Sequence, residues 1–520
     1  MAQTKVQLNM GGKIAILVII GVALFFGYKK FGPALFPAGE SASDVSGMMA
    51  DGSKSTGTGG KNSCIEVGVV TWGGYAGGEY FNNGFQDNAK SRFRTDYGIC
   101  ANFHVMDDFA SSRNAFRSGD IDLLWVTMDA FPTEAGSFGE PVKFLFQADW
   151  SRGGDAIVVK GAINSVGDLL GKKIAVAEAT PSHTFLLWML DMAGLSVQDV
   201  EIVVVPSAID AATAFKSGKV DAAVVWSPDD ETCISEVSGA KILINTKQAT
   251  HIIADGFMVK ESVFNAKKDQ LRKFVEGWLK GSDEINNDPS AKQKAVEILA
   301  TGLKIEKPVA EKAIDNVRLT TYGDNKDFFG MNRSYTNVKG EDLYNKMSKV
   351  YSALRLAEKA NIPEYSKVID TDFIGSINLT GGSVVVAETQ KSFTKATVQE
   401  ASGRAIASKP VRVTFPSGSA VLDENAKELI GFKFVDDARA FPNARIRIEG
   451  NTDAVGDHAS NVALSKARAN SVVSYLVNTH GMDANRFVVV GNGPDKPICN
   501  DASAGCYAKN RRTDFQILAQ

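Results

Sequence analysis

Two groups of residues carry the chemistry this sequence can offer. Near the C-terminus, Asp453 follows an expected strand and Arg468 stands fifteen positions on, inside an expected helix. Brought together, they can grip a zwitterion, the guanidinium holding two carboxylate oxygens and the carboxylate holding an ammonium. Left alone, they make a plain salt bridge or unrelated surface charges. The second group lies near mid-chain. In Ala179–Thr184 (ATPSHT) Pro181 falls where a first helical turn begins, which suits its fixed φ and absent N–H. Thr180 or Ser182 can cap that turn, whose free N–H groups and dipole suit an anion. The bland alternative is that these hydroxyls are ordinary caps. Thr127 adds a hydroxyl after a strand. Trp72, Tyr75, Trp150 and Trp226 fall at strand ends or in the loops that follow. Open α/β sheets bind ligands there, and an aromatic wall with a few polar donors suits a small solute. Taken singly, Trp150 or Trp226 serves equally well as core. His183 either touches ligand or lies on the helix surface; Asp149, Asp155 and Asp229 either bind an amine or fix loops.

Other chemistries are poorly served. Of 520 residues 44% are apolar and 22% charged, with a formal net charge of −3. That balance is ordinary for soluble globular domains and gives no basic footprint, so neither nucleic acid nor an anionic lipid face is an expected partner. The five histidines include no pair at H-x-x-x-H spacing, and the chain has no phosphate-binding P-loop, G-x-S-x-G elbow or zinc motif. No metal, no cofactor and no enzymatic activity are expected. Cys233 has no histidine near it in sequence and reads as an inert thiol.

The elements that position these residues fall into several blocks. Ile14–Tyr28 is uncharged between Lys13 and Lys29–Lys30. A span usually needs about 20 residues; counting Leu8–Gly12 and snorkelling lysines, residues 1–38 are expected to form an uncleaved signal anchor, a transmembrane helix through residues 8–30. Residues 39–63, rich in Gly, Ser, Thr and Asp, are expected to be a flexible linker. From Cys64 strands and helices alternate: strands at 65–71, 101–106 and 121–126 with helices at 78–97 and 110–118, then strands at 155–160, 173–177, 200–205 and 220–226 with helices at 182–193 and 208–217. Such alternation predicts a parallel, doubly wound sheet. Helices follow at 270–286, 292–301 and 340–361. Residues 362–408 read as a connector with short β-like pieces such as Ser383–Ala387. A compact α+β unit of strand, helix, strand, helix and two strands closes the chain.

One pattern occurs twice: FRSGDIDLL at Phe116–Leu124 and FKSGKVDAAV at Phe215–Val224, each a helix stopped by glycine before an Asp that enters a buried strand. Together with VGVVTWGGY at the first strand, GDAIVVK from Gly154, the Ile163–Leu195 segment, AAVVWSPD from Ala222 and IIADGFMVK from Ile252, this resembles the periplasmic receptors for nitrate, sulfonates, taurine and thiamine precursors. The resemblance covers 64–361. It implies a two-lobed type II periplasmic-binding-protein fold, lobe I at 64–153 and 250–361, lobe II at 154–249, with a solute, possible anions included, in the cleft.

The tail at 409–520 resembles the OmpA-like peptidoglycan-binding family through FPSGSAVL from Phe415, the T-D-x-x-G at Thr452, the N-x-x-LS-x-x-RA at Asn461 and the NRR at Asn510. Position 460 is Ser where that family often has an aromatic. The resemblance implies a peptidoglycan site in which Asp453 and Arg468 clamp the diaminopimelate of a stem peptide, with Thr452, Asn461, Leu464 and Arg512 around it. It also implies a disulfide between Cys499 and Cys506; Cys64 and Cys100, opening neighbouring strands, are expected to form a second in an oxidising compartment. The expected whole is a non-enzymatic protein of the Gram-negative cell envelope, anchored in the inner membrane, its bulk periplasmic, its partners a wall peptide, a small solute and an ABC permease or envelope protein. The competing expectation is a structural membrane-to-wall scaffold whose receptor-like domain docks a protein. An outer-membrane porin is not expected, for want of alternating strands ahead of the tail.

Overall fold

The computed structural model describes residues 64–383, 393–416 and 418–518. The expected anchor, the expected linker and most of the β-like piece at Ser383–Ala387 lie outside them. No helix among the described residues is long and apolar enough to cross a membrane.

Three sheets organise these residues. The first is built from β1 (Ile65–Val69), β2 (Ala101–Val105), β3 (Leu123–Thr127), β4 (Val142–Ser151), β10 (Ala254–Lys260) and β11 (Val317–Leu319), in the order β11-β4-β10-β3-β1-β2. The second takes β5 (Asp155–Val159), β6 (Lys173–Ala177), β7 (Glu201–Val205), β8 (Ala222–Trp226) and β9 (Lys241–Asn245), in the order β7-β6-β8-β5-β9. The chain crosses between these two sheets twice, at 152–154 and at 246–253. Neither sheet is the wholly parallel one the alternation predicts. β1 runs parallel to β2 and β3, but β10 is antiparallel to both β3 and β4, and β5 is antiparallel to β8 and β9. The antiparallel strands enter where the chain crosses over.

Two helices are shorter than expected, each for a local reason. The 78–97 span is two helices, α1 (Ala76–Phe81) and α2 (Arg92–Tyr97), parted by a turn in which Asn83 (φ 54°) and Gly84 (φ 135°) take conformations that no helix continues through. The Asn82 side chain fastens that turn, donating to the carbonyls of Gly84 and Ala101. Further on come α3 (Phe109–Ser118), α4 (Pro181–Met192), α5 (Glu261–Asn287) and α6 (Gly340–Ala353). The last ends well before 361, with Arg355 at φ 60° just beyond it.

The third sheet closes the chain: β12 (Ala405–Val411), β13 (Ile446–Asn451), β14 (Phe487–Gly493) and β15 (Thr513–Leu518), in the order β12-β15-β13-β14. Helix α7 (His458–His480) packs on β13 and β14. This C-terminal unit sits directly on the rest. Lys409 Nζ, almost fully buried, bonds Asp437 at 2.7 Å and Asp191 of α4 at 2.6 Å. Asp437 also accepts from Lys346 of α6 at 2.6 Å, and that ammonium lies 3.6 Å from the Trp188 ring centre. The two disulfides join Cys64 to Cys100 and Cys499 to Cys506, and Cys233 is free and buried, its thiol pushed up to about 11 by that burial.

Candidate functional site

Between the first two sheets the ends of β1, β3, β5, β8 and β10 converge on a small cavity of about 10 Å³. Its walls are aromatic and acidic: Trp72, Tyr75, Trp125 and Trp226 with Asp155 and Asp255. Trp226 meets Trp72 edge-on at 6.4 Å and Trp125 at 6.1 Å between ring centres. Two glycines let this wall form. A Cβ on Gly154 would lie 2.1 Å from the Trp72 ring, and one on Gly74 would lie within the Asp149 carboxylate.

The acids are held by neighbours that donate to them. Tyr75 Oη donates to Asp255 at 3.1 Å, Trp72 Nε1 to Asp149 at 3.3 Å, and Ser151 Oγ to Asp155 at 2.7 Å. In the sheet register Asp255 of β10 stands opposite Asp149 of β4 on one side and Thr127 of β3 on the other. Asp129, just past β3, is fully buried as well. Burial pushes all four carboxyls up, Asp129 and Asp155 to about 7; Asp155 further raises Asp149, and Asp149, Asp155 and Asp129 further raise Asp255.

Of the residues expected to hold solute, Trp72, Tyr75 and Trp226 are brought to this cavity; Pro181 at the head of α4 joins them. Others are used elsewhere. Trp150 is buried with its ring against His251 and Phe328. Thr180 does not cap α4: its hydroxyl donates back to the Ala177 carbonyl at 2.7 Å. His183 is neither on the surface nor on the cavity wall. Its Nδ1 accepts from the Ala179 N–H at 3.2 Å, and burial lowers it to about 4. Ser182 and Thr127 are buried beside the cleft, and the Ser182 hydroxyl has no partner among the described residues. Asp229 opens a separate helix, Asp229–Glu236. Sequence reasoning missed Asp255, Asp129 and Trp125. The signal for Asp255 was the ADG inside an otherwise apolar strand.

In the C-terminal unit a second cavity, about 350 Å³, is lined by four guanidinium side chains, Arg412, Arg468, Arg511 and Arg512, with Phe415 and Asn451. Arg468 lies 5.0 Å from the Phe415 ring centre and donates through Nε to the Ser419 carbonyl at 3.0 Å. Burial, and Arg511 close by, lower its pKa, against an opposing pull from Asp453. Asp453 and Arg468 are near one another but not ion-paired. Asp453 bonds Arg511 instead, at 2.6 Å, and accepts from the Val455 N–H. Arg512 reaches the cavity wall with its guanidinium engaged, two bonds going to Asp514 and one to the Lys496 carbonyl. Thr452 is buried, donating to the Asp453 carbonyl; Asn461 donates to the Val455 carbonyl; Leu464 is half-buried on α7. The residue missed here is Arg511, the first Arg of the NRR element.

A cleft between two α/β sheets, joined by paired crossings, and a separate sheet-and-helix unit with a cation-lined hollow define a two-module architecture. The comparisons agree with that division. The description "NMT1/THI5 like" matches residues 154–292 and "OmpA family" matches residues 414–511, so both domains are present in this chain. Over 141 residues the chain is 33% identical to the taurine-binding periplasmic protein of Escherichia coli, covering 27% of this chain and 43% of that one. Over 85 residues it is 36% identical to the peptidoglycan-binding protein ArfA of Mycobacterium bovis, covering 16% and 26%. The solved aliphatic sulphonate-binding protein SsuA of Escherichia coli covers 60% of this chain and 99% of its own at a TM-score of 0.47 and 17% identity. The chain spans less than two thirds of the length of each of these curated relatives.

Proposed function

We propose that this protein binds a small solute in the cleft between its first two sheets and grips peptidoglycan through its C-terminal domain, in the periplasm of a Gram-negative cell and without converting either ligand. The observation that carries the reading is the pairing of two built hollows in one chain, one walled by buried aromatics and acids, the other by four arginines. Names borne by the relatives, a taurine receptor and a peptidoglycan binder, point the same way. Residues 64–361 then form the receptor, with lobes at 64–153 plus 250–361 and at 154–249, and 409–520 form the wall module behind the connector.

In the wall module Arg468 and Arg511 offer forks for the carboxylates of a stem peptide, and Asp453 offers an acceptor for the diaminopimelate ammonium once Arg511 turns to the ligand. Thr452, Asn461 and Leu464 support that corner. Co-sedimentation of the full chain with purified sacculi tests this. Arg468→Ala is expected to abolish it, and full retention by that variant overturns the site. Closure of the lobes on solute would serve an ABC permease or an envelope sensor, with residues 8–30 as the inner-membrane anchor.

A second reading has one observation in its favour. The cleft is contracted to about 10 Å³, the room of a single water. That suits a scaffold whose receptor-like domain docks a protein instead of a solute. Thermal-shift screening of the full chain separates the two. A bound solute stabilises by about 2.7 kcal/mol at a hundredfold excess over Kd, whereas a scaffold stays silent.

A further inference from the structure

The chemistry of the cleft wall is the reverse of what an anion receptor needs. Two carboxyl groups, Asp155 and Asp255, line one small cavity, and two more lie buried behind its wall: Asp149, bonded to the cavity residue Trp72 and opposite Asp255 in the sheet, and Asp129 just past β3. Arg113, whose charge reaches Tyr75 of the cavity wall, is already paired to Glu134 at 2.9 Å. That guanidinium stacks 4.4 Å from the centre of the Trp125 ring, so one aromatic of the group is already a cation platform. On the cavity side Trp125 and Trp226 offer further ring surface at right angles to each other, and Trp72 closes the third side.

Two sets of atoms in this wall lack partners among the described residues. Asp149 Oδ1 is fully buried and receives no hydrogen bond, although Oδ2 is held by Trp72. The indole N–H groups of Trp125, itself 2% exposed, and of Trp226 donate to nothing. A carboxylate oxygen without a donor asks for a positive N–H or N–CH₃ group, and indole donors without an acceptor ask for a ligand oxygen. A simple inorganic anion answers the second demand and is repelled by the first. A bare metal ion answers the first only, and among the described residues the oxygens of these four acids do not converge closely enough to share one.

We propose that the cleft binds an organic ammonium compound bearing an oxygen acceptor, its cationic centre seated among Trp72, Trp125 and Trp226 with Asp255 and Asp155 as counter-charges. The proposal rests on the solute-binding reading above and sets the class of solute. The shared chemistry is the ammonium; it can come from a free amino alcohol or from the amine end of a zwitterion such as taurine. Entry requires the lobes to part or Trp72 to swing from its seat on Gly154, since a body larger than water does not fit the cavity as it stands.

Calorimetric titration of the full chain tests it with three kinds of probe: alkylammonium ions from methylammonium to choline, taurine, and ethanesulfonate, which is taurine without its amine. At least one ammonium compound is expected to bind, with ethanesulfonate silent at the same concentrations. Asp255→Asn is expected to weaken that binding at least tenfold while its melting temperature stays level or rises, because the group removed is a carboxyl whose ionisation burial and the neighbouring acids already oppose. Trp226→Ala should weaken binding independently. Binding by choline points to a free amine, and binding by taurine alone points to the zwitterion. Should ethanesulfonate bind and the ammonium ions not, with Trp226→Ala harmful and Asp255→Asn neutral, the cation assignment falls while solute binding stands. Silence of every probe overturns this proposal, and silence of a broader thermal-shift screen as well removes the solute reading with it.

Discussion

Asp437 is the residue whose removal should most plainly separate the two modules. Its carboxylate is 2% exposed and accepts from Lys409 at 2.7 Å and Lys346 at 2.6 Å. Both ammoniums hold its pKa below the ordinary carboxylate range despite full burial. Breaking a buried pair by deleting one partner costs about 3–5 kcal/mol, because the other charge is left in the interior. Lys409, only 8% exposed, would keep Asp191, but that carboxylate is 53% exposed, and such contacts are worth about 1 kcal/mol or less. Asp437→Ala should therefore cost about 3 kcal/mol, and Asp191→Asn less than about 1 kcal/mol. Denaturant unfolding of the full chain, read by a probe in each module, measures both. A Lys409→Met/Asp437→Leu double variant should be less damaging than either single change. The sign with pH follows from the depressed pKa: the Asp437 contribution is complete above the unfolded carboxylate value near about 4 and is lost as pH falls through the folded one. An Asp437→Ala variant within about 1 kcal/mol of the parent would show that the charges at this contact hold nothing together.

Other outcomes follow from single features. Removing the Cys64–Cys100 bridge, 36 residues apart, should cost about 4 kcal/mol by chain entropy against about 2 kcal/mol for Cys499–Cys506, 7 apart; equal losses in serine variants would contradict that ordering. Glu79 on α1 is fully buried with neither oxygen bonded among the described residues, and burial raises its pKa well above normal. It holds a proton in the folded state where the unfolded chain does not, so stability falls as pH rises from about 4; Glu79→Met should stabilise by about 1–3 kcal/mol at pH 7, and a loss in a melting scan would refute this. In the cleft Asp129 and Asp155 titrate near 7, facing Asp149, Asp255, Tyr75, Asp230 and Arg113. A cation selects their ionised forms, so affinity for a quaternary ammonium should climb as pH rises through about 7; a flat profile would place the ligand elsewhere.

What the sequence made legible was the local part of each site, and what it hid depended on pairing between distant strands. Trp72, Tyr75 and Trp226 could be placed in the cleft because Trp226 ends β8 and Trp72 and Tyr75 lie in the segment that follows β1, positions set by neighbours in sequence. Asp255 could not. It becomes an acid opposite an acid only because β10 inserts antiparallel between β3 and β4, a register that joins residues 128 positions apart from Thr127 and 106 from Asp149. Trp150 and His183 failed in the opposite sense, since their types suit a ligand wall but packing turns them into the core and onto a backbone N–H. The wall module shows the same division within two residues. Arg511 and Arg512 are indistinguishable as letters, yet Arg512 lies on strand-side ground where Asp514 captures it, while Arg511, one residue earlier, is left to reach Asp453. The alternation of faces along an extended chain sends the two guanidinium groups to different partners. The same rule explains why the acids of the cleft were not legible. The ATPSHT turn is contiguous and could be read as one piece, whereas Asp129, Asp149, Asp155 and Asp255 come from several chain segments, and no short window of sequence contains more than two of them.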